Sequence, residues 1–374
     1  MGQRQCRGPG RDLRVRTGNV VSESGDIVTD TATRIFADLA DPQTVNSAKD
    51  GGWKAPLWQA LADAGLTVAW VPEDQGGAGA SLADGFKVVA VAGRFAAPVP
   101  LAETLLAGWL LARAGIASPA GAMTVAPARQ GDRISLNFDG TLSGRARAVP
   151  FADGSQHLAV VATSAAGPSI ALVESKACRL ADGLSLAGDA SNVVTFDRVA
   201  PLRSAPAPAG FDLTSLMLMG AAARSVATAG ALEAILELTV RYANERVAFE
   251  RPIGKFQAVQ HNLARLAGEV AAAMTASGSA ADAIAQAESF DDAVFLEVAS
   301  AKIRSAEAAE EGAAIAHQVH GAIGFTREHV LHRFTLRLLA WRDDFGNESQ
   351  WAAALGDRVA ARGAEEFWPL VASR

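Results

Sequence analysis

Twice along the 374-residue chain the spacing of apolar side chains changes period, and those two changes constrain the fold more than any single motif. From about 26 to 115 apolar residues recur at three and four, as in Val28, Ala32, Ile35, Phe36 and Leu39 and again at Leu57 and Leu61, the spacing of amphipathic helices. Pro72, Gly76, Gly77 and Gly79 interrupt it and predict a loop over Val71–Gly79. Between 122 and 208 the pattern shortens to Ile134–Phe138, Leu158–Ala162, Ser169–Val173 and Asn192–Phe196, parted by Asp139-Gly140 and Asp153-Gly154, which reads as antiparallel strands. The segment Ser204–Gly210, with two prolines, predicts a linker. From Leu213 to Leu370 the chain is rich in Ala, Leu, Glu and Arg, the composition of long packed helices. Breaks at Ser277–Ser279 and Gly321–Gly324 suggest two helices before Ser289 and two after it, a four-helix bundle. The expected architecture is α+β, with a loose tail (1–25), an N-terminal helical domain (26–121), a middle β-domain (122–208) and a C-terminal bundle (209–374).

Composition removes several classes of function. Hydrophobic residues make up 49% and charged ones 20%, ample for a large core. A net charge of -6 gives no basic face for phosphate neutralisation, so no nucleic-acid partner is expected. Cys6 and Cys178 are too far apart in the chain to suggest a disulfide framework or thiolate metal site, which fits a reducing, cytoplasmic setting. Glu103 and Arg113 cut the apolar run Leu101–Gly115 short of a bilayer crossing, so no membrane span is expected. Residues Met1–Gly18 carry five arginines and no apolar run, unlike a secretory signal.

Arg246 ends a helical stretch as Tyr242-Ala-Asn-Glu-Arg-Val-Ala-Phe249, followed by Arg251-Pro-Ile-Gly-Lys-Phe-Gln257. A planar guanidinium suits a diphosphate, which it can grip through two parallel hydrogen bonds. The competing role for Arg246 is an ion pair with a carboxylate on its own helix. Gly321 and Gly324 could admit a cofactor close to the backbone, or simply turn the chain between helices. His317 and His320 share a helix face, but no third ligand accompanies them and no metal is expected.

These segments resemble the acyl-CoA dehydrogenase family. The first is similar to its Arg-x-x-Phe-Gly and Pro-Ile-x-x-Phe-Gln pattern, and Gln318-Val-His-Gly-Ala-Ile-Gly-Phe325 to its Gln-x-x-Gly-Gly-x-Gly-Phe signature. Leu57–Leu66 followed by Val71-Pro-Glu73 and Gly76, Gly77 and Gly79 resembles its opening. The likeness spans about 26 to 370 and is thinnest in the middle, where Val125-Ala-Pro127 stands for Thr-Glu-Pro and no Gly-x-Gly-Ser-Asp loop follows. It implies FAD as cofactor, an acyl-CoA thioester as substrate and electron-transfer flavoprotein as electron acceptor. It also implies a homodimer, a homotetramer or a heterotetramer with a second acyl-CoA dehydrogenase subunit. By the same likeness Arg246, Phe249 and Gln257 would contact the FAD of a neighbouring subunit, and Gln318, Gly321 and Ala322 would line its adenosine side. Asn347 and Ser349 stand where the family has an adenine-side threonine and glutamine. Glu250 replaces a glycine and brings a negative charge towards the diphosphate.

Desaturation of an acyl-CoA needs a carboxylate to take the α-proton. The two places where the family keeps that glutamate match Phe345 and Thr214, and neither can serve. Asp344 and Glu348 are the nearby carboxylates. Three readings follow: Asp344 or Glu348 acts as substitute base; a partner chain supplies the base while this chain completes the FAD site; or the chain is a flavin monooxygenase of the same fold. A scaffold or regulatory partner is the reading outside enzymology.

Overall fold

A computed structural model describes residues 23–372, so Cys6 and the arginines of the expected tail lie outside the described residues. Five helices come first: α1 (Glu23–Leu39), α2 (Pro42–Ser47), α3 (Lys54–Asp63), α4 (Leu82–Arg94) and α5 (Leu101–Arg113). The helix α1 therefore begins inside the stretch assigned to the tail. Two short caps define starts that the apolar pattern leaves open: Asp41 accepts from Gln43 N and Thr44 N, and Ser81 from Asp84 N.

Eight strands follow: β1 (Met123–Ala126), β2 (Arg133–Leu136), β3 (Leu142–Pro150), β4 (His157–Ser164), β5 (Gly167–Glu174), β6 (Arg179–Ala181), β7 (Ser191–Val199) and β8 (Arg203–Pro206). They form one sheet in the order β6-β7-β3-β2-β4-β5-β8, with β1 parallel to β4. The pairing is antiparallel as expected except at β1–β4 and β2–β4. In β4 the run Leu158–Ala162 is apolar throughout because both faces are covered. Leu158, Val160 and Ala162 face the core inside the sheet unit, whereas Ala159 and Val161 join the helical core. The expected linker Ser204–Gly210 is half strand: β8 pairs with the edge of β5, where a proline costs no ladder hydrogen bond.

The last part contains three long helices, α6 (Leu213–Glu245), α7 (Gln257–Gln286) and α8 (Asp292–His320). They are joined by α9 (Leu331–Trp341), α10 (Glu348–Arg362) and α11 (Ala364–Ala372), and a two-residue hairpin, β9 (Val247–Ala248) and β10 (Arg251–Pro252), separates α6 from α7. Four helices, not two, therefore follow Ser289. The break expected at Ser277–Ser279 is absent, because Ser277 turns its hydroxyl back to donate to Ala273 O and helix continues through it. Asp212 and Ser215 start α6 with a reciprocal capping box.

Helix α6 is apolar and long enough to cross a membrane, yet its apolar window is wholly buried inside the protein. It is the central core helix. Where it crosses α4, a Cβ on Gly93 would overlap Ala227 O and one on Gly230 would overlap Ala90 O, so the two backbones touch at glycines. One hydrophobic core runs from α1, α3, α4 and α5 into α6 and α8. A buried clamp adds a polar tie between all three parts. The guanidinium of Arg337 on α9 donates to both carboxylate oxygens of Asp189 in the β6–β7 loop, 2.8 and 2.6 Å away, and to Ala96 O after α4, 2.6 Å away.

Candidate functional site

The turn from α9 to α10 is held from beneath. Phe345 is fully buried in the left-handed region at φ 56, a conformation that costs a non-glycine residue roughly 1–2 kcal/mol. Its carbonyl accepts from Trp351 Nε1 at 3.1 Å, and its ring lies where a side chain on Gly220 of α6 would stand. Gly220 thus meets Phe345 from α6, and the Arg224 guanidinium lies 6.0 Å from the centre of the same ring. Thr214, placed by the likeness at the second base position, is instead exposed in the first turn of α6, where its hydroxyl donates to the capping Asp212.

Neither substitute carboxylate is free. Asp344 accepts from Arg224 Nε at 2.9 Å, and Arg224, 4% exposed, also donates to Glu103, 1% exposed on α5. Burial alone would favour loss of the Arg224 proton, but Glu103 and then Asp344 outweigh it and hold the guanidinium charged. Glu348 accepts from Arg342 Nη2 at 2.5 Å. Burial pulls the Glu348 carboxyl up, and Arg342 and Lys302 pull it down further, so it stays ionised and paired. Lys302, buried on α8, donates from Nζ to Trp341 O at 2.7 Å, and burial lowers its pKa to about 7 against the opposing pull of Asp344. The cations Arg224 and Lys302 and the carboxylates Glu103 and Asp344 therefore fill the space between α5, α6, α8 and the turn, with the Arg342–Glu348 pair beside them. Sequence reasoning missed Arg224, Glu103 and Lys302 as a group. The signal available was a lone charge inside an apolar run, at Glu103 and again in Gly220-Ala-Ala-Ala-Arg224.

The residues expected at the cofactor fall into three places. Arg246 is the C-cap of α6, exposed, and among the described residues no carboxylate forms an ion pair with it. The competing own-helix pair is not formed. Phe249, 89% exposed at φ 50, tips the β9–β10 hairpin, with Glu250 beside it at φ 66, and Gln257 opens α7 at the surface. Gln318, Gly321 and Ala322 line a separate concavity of about 860 Å³ with Phe325 and Arg342. Gly321, at φ 63, has open space where a side chain would point. Asn347 caps α10, accepting from Gln350 N at 3.0 Å, while Ser349 is exposed. His317 and His320 point at different partners: His317 Nε2 is 2.9 Å from Thr335 Oγ1, and His320 donates from Nδ1 to Ala316 O.

These features define a flavoprotein dehydrogenase fold, with a β-sheet unit set between two helical ones. The chain belongs to the acyl-CoA dehydrogenase family, whose members are FAD-dependent oxidoreductases: residues 22–118 match its N-terminal domain and 209–347 its C-terminal domain. Acyl-CoA dehydrogenase IpdE2 of Mycobacterium tuberculosis is 32% identical over 321 residues, covering 84% of this chain and 91% of that protein. Acyl-CoA dehydrogenase FadE27 of the same organism is 30% identical over 305 residues, covering 75% and 81%. A variant of the Tcur3481–Tcur3483 steroid ACAD superposes with a TM-score of 0.79 at 28% identity, covering 91% of this chain and 98% of that one. The ChsE4–ChsE5 complex of Mycobacterium tuberculosis shares the fold, with a TM-score of 0.79 at 23% identity and the same coverage.

FAD is the family's cofactor, and the residues here fit one side of it. Arg246, which has no ion pair among the described residues, the exposed Phe249 ring, edge-on to Phe256, and the open backbone at Gly321 suit a diphosphate and nucleoside approaching from outside the chain. The flavin-ring side has less to offer. Val125 and Ala126 are fully buried, and Asp132, in the turn after Pro127, is spent on Arg147 N and Nε at 2.6 and 2.7 Å.

Proposed function

We propose that this chain is the base-lacking subunit of a heteromeric acyl-CoA dehydrogenase, in which a partner subunit holds the substrate and abstracts the α-proton. The observation that carries the reading is the sealed turn: Phe345, matched by resemblance to the family's base position, is fully buried, and both neighbouring carboxylates are paired with arginines. Bound FAD supplies the hydride acceptor. The task proposed for this chain is binding: Arg246 holds diphosphate charge, Phe249 and Gln257 cover the cofactor, and Gln318, Gly321 and Ala322 receive the adenosine side, all belonging to FAD seated mainly in the partner. The domain division 26–121, 122–208 and 209–374, with its first boundary moved back to Glu23 to keep α1 whole, is proposed on the same footing. Substrates of the steroid side-chain class are the favoured acyl group, since the structural relative at 28% identity is a steroid ACAD. Electron-transfer flavoprotein is the proposed acceptor.

Co-expression with a neighbouring acyl-CoA dehydrogenase gene product tests this. The expected result is a co-purifying yellow complex, bleached by acyl-CoA, and a colourless protein when this chain is made alone. A yellow homo-oligomer that oxidises acyl-CoA without a partner would overturn the reading.

A further inference from the structure

The β9–β10 hairpin turns on two residues, Phe249 and Glu250, between the paired positions Ala248 and Arg251. Both are left-handed, at φ 50 and φ 66. A two-residue loop of this kind favours Asn-Gly, because each central residue needs a positive φ and a side chain there crowds its own backbone. Among the described residues these are the only two adjacent non-glycine residues in that conformation. Glu250 stands where the family has the glycine that such a backbone favours.

Neither side chain finds within this chain anything to offset the strain. Phe249 is exposed and meets the Phe256 ring edge-on, with ring centres 6.2 Å apart. Glu250 is exposed too, and among the described residues it forms no ion pair or side-chain hydrogen bond, although Arg246, Arg251 and Lys255 are near neighbours in the chain. Arg251 is turned over the Phe256 ring instead, 4.3 Å from its centre. An unpaired glutamate on a protein surface is ordinary. One held in a strained conformation at the tip of a hairpin points to a contact made outside the chain.

Charge decides what that contact is. In the heteromer reading, on which this rests, the tip reaches FAD seated in the partner subunit. A diphosphate and Glu250 together carry more negative charge than Arg246 can balance, so the surface that receives the tip must add positive charge of its own. We propose that Glu250 is a partner-selecting residue, whose carboxylate pairs with a lysine or arginine of the partner subunit next to the cofactor that Phe249 covers. A subunit without that cation is rejected by the same carboxylate.

The test is the affinity of the co-expressed complex, read by mass photometry on dilution at about 50 and 500 mM NaCl, for Glu250→Gln, Glu250→Gly and Glu250→Lys. The dissociation constant should rise roughly fivefold to tenfold for Gln and Gly and on the order of a hundredfold for Lys, and the parent should lose more affinity to salt than the Gln variant. Glu250→Gly removes the strain with the charge, so this chain alone should melt no lower than the parent. A carboxylate that only repelled the diphosphate would give the reverse order, with Lys tightest, and that result overturns the proposal. So does a complex indifferent to all three variants, or a Gly variant that melts lower, which would place the task of the carboxylate inside this chain. These results leave the heteromer reading standing, whereas failure to form any complex removes both.

Discussion

Arg224 offers the sharpest test of how the turn is held. Replacing it with Met leaves Glu103, 1% exposed, as a buried carboxylate without its cation, and removes the bond to Asp344. Breaking a buried ion pair from one side costs about 3–5 kcal/mol, whereas replacing both partners with apolar groups is close to neutral. At about 2.1 cal/mol/K of unfolding entropy per residue, 374 residues give ~0.8 kcal/mol/K, so the single variant should melt roughly 4–6 °C lower. Glu103→Leu alone should lose less, because the guanidinium keeps Asp344 as a partner. The double variant should recover most of the loss, a coupling of a few kcal/mol. The assay is thermal unfolding followed by circular dichroism for all four proteins of the cycle; Asp344 keeps its bond to the guanidinium only in the parent and in Glu103→Leu. Losses that simply add, or single variants within about 0.5 kcal/mol of the parent, would refute the idea that this network holds the turn shut.

Four other outcomes follow from the same geometry. Lys302→Met should raise the melting temperature near neutral pH, because burial holds the folded pKa at about 7, below the unfolded value. The charge penalty is full below about 7 and fades as pH rises towards 10, so the gain should shrink over that range. Burial likewise lowers His320 to about 4, so its neutral form stabilises fully above about 6.5 and this contribution is lost as pH falls towards 4; His320→Phe should flatten the stability profile there. Arg246→Ala should cut the flavin content of the complex by weakening binding about 1.5–3 kcal/mol, with Lys a partial replacement, measured by absorbance after gel filtration. Asp344→Asn and Glu348→Gln should leave acyl-CoA-dependent bleaching of the complex unchanged, and loss of bleaching in either would make that carboxylate the base.

The sequence announces those parts of the fold whose local pattern and tertiary setting agree. Leu158–Ala162 and Ser169–Val173 are read as strands because β-branched and small apolar residues sit between clear turns. The strand β8 is hidden by prolines that usually mark a linker, and only its edge position makes them tolerable. The expected break at Ser277–Ser279 is overridden by packing, since Ser277 is buried and α7 leans on α8 along its length. At the site, motif likeness singles out Arg246, Phe249 and Gln318, but it is silent on whether their surroundings are open. The network of Glu103, Arg224, Lys302 and Asp344 draws on four distant stretches of chain, and no local pattern can bring those together.

The contact of α4 with α6 at Gly93 and Gly230, together with the Asp189–Arg337–Ala96 clamp, bears on how such a protein can be recombined with its relatives. A chimera that exchanges the first five helices alone would set a foreign α4 against this α6, where a single added methyl group meets a carbonyl oxygen. Exchange of the sheet alone would strand Arg337 wherever the incoming β6–β7 loop lacks a carboxylate in place of Asp189. Workable crossovers must therefore carry α4 with α6, and the β6–β7 loop with α9, so the parts that look separable along the chain are inherited together.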